Sequence, residues 1–105
     1  MQTSKAIPLP RLNGIAPTVE STALKLMEEA GELGAAISRL KGLPGIQPKD
    51  GATQEDLVLD VARELLDVAQ TAITMMFVLE EQYNLNIESV LAEHLAKLRR
   101  KGYLV

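Results

Sequence analysis

A long apolar segment, residues 54–83, limits the possible folds more than any other part of the chain. Between Leu65 and Leu79, 11 of 15 residues are apolar. The period of the few polar residues, together with Thr53 and Asp56 placed as a capping box, predicts a helix over this whole segment, roughly 45 Å long. The polar residues form one narrow line along it, at spacings of four, three, four and three: Asp60, Glu64, Asp67, Thr71 and Thr74.

Two further helices are predicted, one before this segment and one after it. Apolar residues at helical spacing indicate a helix from about 18 to about 41, with Thr18 as its N-cap. Asn86 is a typical N-cap for a third helix over about 87–101, and Gly102 is a typical stop after it. The chain is therefore expected to be all-α.

The N-terminal segment, residues 1–17, contains three prolines and is expected to be an extended arm with a turn at Asn13–Gly14. Its apolar residues suggest that it lies against the helices. Glycines and prolines predict a connecting loop over 42–53. We expect one domain over residues 1–105, with the helical core at 18–103.

Three helices of this length cannot enclose the long central helix on all sides. Its apolar surface predicts that a second copy of the chain covers the remainder, so that oligomerisation completes the core of the helical bundle. We therefore expect a homodimer or a homotetramer.

The composition excludes several classes of function. The net charge of −3 gives no electrostatic support for binding nucleic acid. The absence of cysteine excludes disulfides and thiolate metal sites and suits a reducing, cytoplasmic location. The longest apolar run, residues 75–79, is too short to span a membrane, and residues 1–10 do not resemble a signal peptide.

Two groups of carboxylates interrupt the apolar helices. The first consists of Glu28, Glu29 and Glu32, and the second of Glu64 and Asp67. Residues three apart project from one side of a helix, and Glu29 and Glu32 are expected to border the apolar stripe. If the two helices pack antiparallel, like charges converge and repel each other unless a cation lies between them. Oxygen ligation of this kind suits Mg²⁺ or Mn²⁺ and does not suit zinc.

A simpler interpretation is that these carboxylates serve only the structure. An acidic pair three residues apart on a helix is commonly a solvated surface. Nearby cations (Lys25, Arg39 and Arg63) could also form an ion-pair network with Glu64 and Asp67. Some partner is needed in either case, because burying an unpaired carboxylate costs several kcal/mol.

The two-part pattern resembles that of the MazG-like all-α nucleoside triphosphate pyrophosphohydrolases. The matching residues are Glu28-Glu29-Ala30-Gly31-Glu32 and Glu64-Leu65-Leu66-Asp67, and the resemblance covers roughly residues 18–103. It implies Mg²⁺-dependent hydrolysis of a nucleoside triphosphate to the monophosphate and pyrophosphate. It also implies that Glu29, Glu32, Glu64 and Asp67 bind the metal. Glu28 would support these ligands or act as the base for the attacking water.

Basic residues are candidates for contacting the substrate phosphates. Lys97, Arg100 and Lys101 lie near the C-terminus, where basic residues also suit the dipole of a helix end. Lys25, one turn before Glu28, is either a phosphate contact or an ion-pair partner. Two alternatives to the hydrolase remain open: a non-catalytic helical interaction or regulatory module, and a related hydrolase of another phosphoribosyl nucleotide.

Overall fold

The computed structural model describes residues 3–45 and 50–104. Over these residues it contains three helices and no strand: α1 (Val19–Lys41), α2 (Gln54–Tyr83) and α3 (Ile87–Arg100). The predicted all-α fold is therefore confirmed. The first two residues of the predicted arm, residues 46–49 of the predicted loop and Val105 lie outside the described residues.

The helices begin where the capping residues predict. The Thr53 hydroxyl accepts a hydrogen bond from the Asp56 backbone N–H at 3.1 Å, and the Asp56 carboxylate accepts from the Thr53 N–H at 3.0 Å. Thr18 caps α1 in the same reciprocal way, and Asn86 caps α3. These bonds satisfy backbone donors that have no partner inside the helix, which fixes where each helix starts.

Helices α1 and α2 pack against each other and run antiparallel. Thr22, near the start of α1, lines the same cleft as Thr74 in the second half of α2. Glu32, further along α1, is instead close to Glu64, which comes earlier in α2. The most buried apolar side chains of the described residues are Ala36 on α1, 1% exposed, and Val78 on α2, 2% exposed.

Helix α3 makes little contact with the other two helices. None of its residues, all of which the structure describes, is buried. Large apolar side chains also stay exposed on α2, including Leu65 at 51% and Leu66 at 46%. The structure is that of one chain, so the predicted oligomerisation stays a prediction. No helix in the described residues combines the length and the hydrophobicity that a membrane span requires.

The arm lies against α2, as predicted, but polar groups make the contacts that hold it. The Gln70 side-chain amide donates a hydrogen bond to the Pro10 carbonyl at 2.8 Å. Arg11 forms an ion pair with Glu81 and lies over the Phe77 ring, 5.3 Å from its centroid. The arm therefore has a defined position along α2 although its own apolar side chains stay largely exposed.

Candidate metal centre

Three carboxylates from two helices converge where α1 crosses the middle of α2. Glu29 of α1 and Glu64 and Asp67 of α2 each offer a carboxylate oxygen, and these oxygens lie within 4.8 Å of one another. The three-residue spacing places both α2 carboxylates on one side of that helix. Antiparallel packing then brings Glu29 opposite them.

A second group of carboxylates lies on α1 alone. The oxygens of Glu28, Glu29 and Glu32 also lie within 4.8 Å of one another. Glu29 thus belongs to both groups and connects them. Glu28 and Glu32 are exposed, whereas Glu29 is only 5% exposed, so the outer part of the cluster is open to solvent.

Two buried oxygens of this cluster have no hydrogen-bond partner among the described residues: Glu29 Oε2 and Glu64 Oε2. A buried carboxylate oxygen without a donor costs free energy, and the cost is larger when the group is charged. Because the oxygens belong to side chains that already lie close together, one cation could satisfy both. The donor set, composed of carboxylates, fits a hard divalent ion.

Lys25 provides the only positive charge paired with the cluster in the described part of the chain. Its Nζ lies 3.0 Å from Glu29 Oε1 and 3.4 Å from Glu28 Oε1. The hydrogen bond to Glu29, followed by the charge of Glu28, raises the pKa of Lys25 above its usual value. Arg63 instead pairs with Asp60 at 2.9 Å. Neither Glu64 nor Asp67 forms an ion pair with a described residue, so an ion-pair network accounts for only part of the cluster.

The carboxylates of the cluster repel one another. The negative charge of Glu29, then partial loss of contact with water and the charge of Glu64, raise the pKa of Glu32 above its usual value. This shift indicates that another negative charge is unfavourable at this position. A divalent cation would reverse that effect.

A family model described as the MazG nucleotide pyrophosphohydrolase domain matches residues 17–102. This chain belongs to the MazG nucleotide pyrophosphohydrolase family. The match confirms the resemblance inferred from the two acidic motifs. No curated protein and no solved structure matches the chain. Membership of the MazG family indicates a hydrolase acting on nucleoside triphosphates, and the acidic cluster of this MazG domain could bind a metal ion.

A cleft of 510 Å³ opens beside the acidic cluster of the MazG domain. Lys25, Glu29 and Asp67 line one part of it, and residues of the arm line another. No pattern in the sequence indicated this contribution of the arm. The contact that places the arm, between Gln70 and Pro10, joins residues 60 positions apart, and no local pattern predicts such a contact.

The basic residues near the C-terminus of the MazG domain do not line this cleft. Lys97 and Arg100 line a separate hollow on α3, and Lys101 is the C-cap of that helix. Lys25 is the one predicted phosphate contact that the fold places beside the carboxylates. The contact of Lys97, Arg100 and Lys101 with phosphate stays a prediction.

Proposed function

We propose that this MazG domain is a Mg²⁺-dependent pyrophosphohydrolase that converts a nucleoside triphosphate, ribo or deoxy, to the monophosphate and pyrophosphate. One observation carries the proposal: a carboxylate cluster assembled from two helices contains buried oxygens of Glu29 and Glu64 that have no hydrogen-bond partner among the described residues. A purely structural acidic cluster would be expected to find donors for these oxygens within the protein.

Four side chains would hold the cation: Glu29, Glu64 and Asp67, with Glu32 completing the set from α1. Mg²⁺ is favoured and Mn²⁺ is acceptable, because both prefer oxygen ligands and octahedral sites that include water and substrate phosphate oxygens. A divalent ion at this position would supply positive charge against the phosphates and lower the pKa of a water molecule.

Glu28 and Lys25 have the remaining roles in this proposal. The exposed Glu28 carboxylate lies beside Glu29 and can accept a proton from the attacking water. The water oxygen bonds to the α-phosphorus, the bond from that phosphorus to the bridging oxygen breaks, and pyrophosphate leaves. Lys25 can exchange its contacts with Glu28 and Glu29 for substrate phosphate as a point charge.

The active protein is proposed to be a homodimer or homotetramer of single-domain chains. Helix α3 buries none of its residues in the chain, and apolar side chains on α2 are exposed, so a second copy has apolar surface to cover. A cytoplasmic location and the absence of nucleic-acid or membrane partners remain predictions based on composition.

Pyrophosphate release, measured with a panel of common and modified nucleoside triphosphates with and without Mg²⁺, tests the activity. Mn²⁺ binding, measured by electron paramagnetic resonance, tests the site separately. We expect Glu64→Gln to abolish both metal binding and pyrophosphate release, because it removes a ligand charge without changing the size of the side chain. Glu55→Gln, an exposed carboxylate in the first turn of the same helix, is the matched control and should keep both.

Each result has a distinct meaning. If the unsubstituted protein does not bind Mn²⁺, the hydrolase proposal is wrong, and the non-catalytic helical module is the interpretation that remains. If the protein binds Mn²⁺ but releases pyrophosphate from no nucleoside triphosphate, the nucleoside triphosphate assignment is wrong. Pyrophosphate release from other phosphoribosyl nucleotides then tests the related-hydrolase alternative.

A further inference from the structure

The cleft beside the carboxylates continues well beyond the metal ligands. Its volume of 510 Å³ lies within the range of about 300–1,000 Å³ that is typical of small-molecule sites. Lys25, Glu29 and Asp67 give it a charged region. Further along α2 the lining changes to uncharged polar side chains, among them Gln70 and Thr74. The cleft therefore has one region suited to phosphate and metal and another suited to an uncharged group.

The wall opposite these polar side chains comes from the arm. Leu12 and Ile15 line the cleft, and they remain 43% and 56% exposed. Apolar side chains that line a cleft without being covered by the rest of the chain leave surface for a ligand. A planar, largely apolar group such as a nucleobase could cover this surface while its polar edge meets the side chains of α2.

The contacts that hold the arm in place are made by residues of the arm that do not themselves line the cleft. Arg11 makes its ion pair with Glu81 and its contact with the Phe77 ring in an adjoining hollow, and none of these three residues lines the cleft itself. Within the cleft, the Gln70 amide bonds to the Pro10 carbonyl just before the wall begins. Two contacts on consecutive residues thus fix the position of the arm where it enters the site.

We propose that residues 12–17 of the arm form one wall of a nucleoside subsite, in which Ile15 and Leu12 contact the base and Arg11, outside the cleft, positions the wall. The proposal rests on the proposed pyrophosphohydrolase activity. The triphosphate lies toward Glu29 and Asp67, and the nucleoside extends along α2 toward Thr74. The arm therefore determines which nucleosides this protein accepts.

The first test removes apolar surface from the wall. Ile15→Ser is compared with Ile7→Ser, an apolar residue of the same arm with similar exposure, 52%, that does not line the cleft. Binding of an α,β-imido nucleoside triphosphate, which cannot be cleaved between these phosphates, is measured by calorimetry. We expect about tenfold weaker binding for Ile15→Ser, from the apolar area lost, and unchanged binding for Ile7→Ser. Mn²⁺ affinity should be unchanged in both.

The second test moves the wall without altering its lining. Arg11→Met removes the charge that pairs with Glu81, while Arg11→Lys keeps it. In the proposed arrangement Arg11→Met raises the KM for the nucleoside triphosphate and leaves unchanged the inhibition constant of inorganic tripolyphosphate, used as a competing ligand that has no base. Arg11→Lys should restore the KM at least in part. A residue needed only for stability would not distinguish these two compounds.

The outcomes separate this inference from the activity on which it rests. Equal binding by Ile15→Ser and Ile7→Ser, in a protein that hydrolyses nucleoside triphosphates, overturns the arm as a subsite wall and leaves the hydrolase intact. Failure of the unsubstituted protein to release pyrophosphate from any nucleoside triphosphate overturns both.

Discussion

Two consecutive glutamates of α1, Glu28 and Glu29, differ in their exposure to solvent. Glu29 is 5% exposed and belongs to both carboxylate groups, whereas Glu28 is exposed and belongs to one. A rotation of about 100° per residue predicts this difference, because it places Glu29 at the border of the apolar stripe and Glu28 further toward solvent. Glu32, which the same rotation also places at the border of the stripe, is exposed. At the scale of single residues, helix geometry separates Glu28 from Glu29 but does not decide which glutamate at the border is buried.

The capping box of α2 gives a pH dependence of stability. The hydrogen bond from the Thr53 backbone N–H lowers the pKa of Asp56 below its unperturbed value of 3.8. A lowered pKa means that the folded state binds the proton less well than the unfolded chain does. The stabilisation is therefore complete above pH 3.8 and is lost as the pH falls through the lowered pKa.

We expect Asp56→Asn to lower the Tm at neutral pH. The difference in Tm between this variant and the unsubstituted protein should become smaller once the pH is below 3.8. Thermal unfolding followed by circular dichroism at several pH values measures this. Thr53→Ala removes the hydroxyl half of the box and should cost about 1 kcal/mol at neutral pH. The Thr53 side chain also helps to lower the pKa of Asp56, so this cost should shrink at low pH as well. A constant Tm difference for Asp56→Asn would contradict the assignment of the charge to the cap.

At the scale of helices, the two ends of α1 are determined by local chemistry. Thr18 and Ser21 exchange hydrogen bonds at the start. Gly42 follows the last residue with φ of 67°, a left-handed conformation that glycine adopts without steric cost. Two glycines inside the helix, Gly31 and Gly34, have helical neighbours on both sides. Because glycine is a poor helix former, this pattern predicts close approach of another backbone or of a ligand. Apart from the adjoining backbone of α1 itself, no atom of the described residues lies within 4 Å of a Cβ built at either position.

Alanine substitution should therefore have opposite effects at two glycines of this helix. Gly34→Ala should stabilise the protein by about 1 kcal/mol, because alanine is the better helix former and the space is open. Gly42→Ala should destabilise it by about 1–2 kcal/mol, because the Cβ is strained at positive φ. Urea unfolding measures both. A loss of stability for Gly34→Ala would instead indicate that a second copy approaches α1 there.

At the scale of the whole molecule, the chain leaves much apolar surface uncovered. Helix α3 has Val90 at 42% and Leu91 at 51% exposure, and it makes little contact with α1 and α2. A helix with an apolar stripe and no partner is expected to bury that stripe against another surface. A second copy of the chain, as predicted, would cover this stripe with its own exposed helices in a symmetric arrangement.

The assembly can be measured by size-exclusion chromatography with light scattering. We expect a mass of two or four times 11.4 kDa and a Tm that rises with protein concentration. Leu91→Glu should shift the mass toward that of one chain, since it puts a charge into the apolar stripe of α3. Ala92→Glu adds the same charge one residue further on, outside that stripe, and should leave the mass unchanged. A single-chain mass for the unsubstituted protein would show that the apolar surfaces have another role.

The sequence alone determined the three helices, their caps and the two acidic motifs, because each depends on residues within a few positions of one another. It also placed Glu29 correctly relative to the apolar stripe. The tertiary structure decided the rest. Antiparallel packing brought Glu29 to Glu64 and Asp67 and left two carboxylate oxygens buried with no partner in the part of the chain that the structure describes. Lys97 and Arg100 lie outside the cleft. Contacts between distant residues, such as that of Gln70 with Pro10, arise only when the folded helices provide a surface, so no local pattern could have predicted the wall that the arm forms.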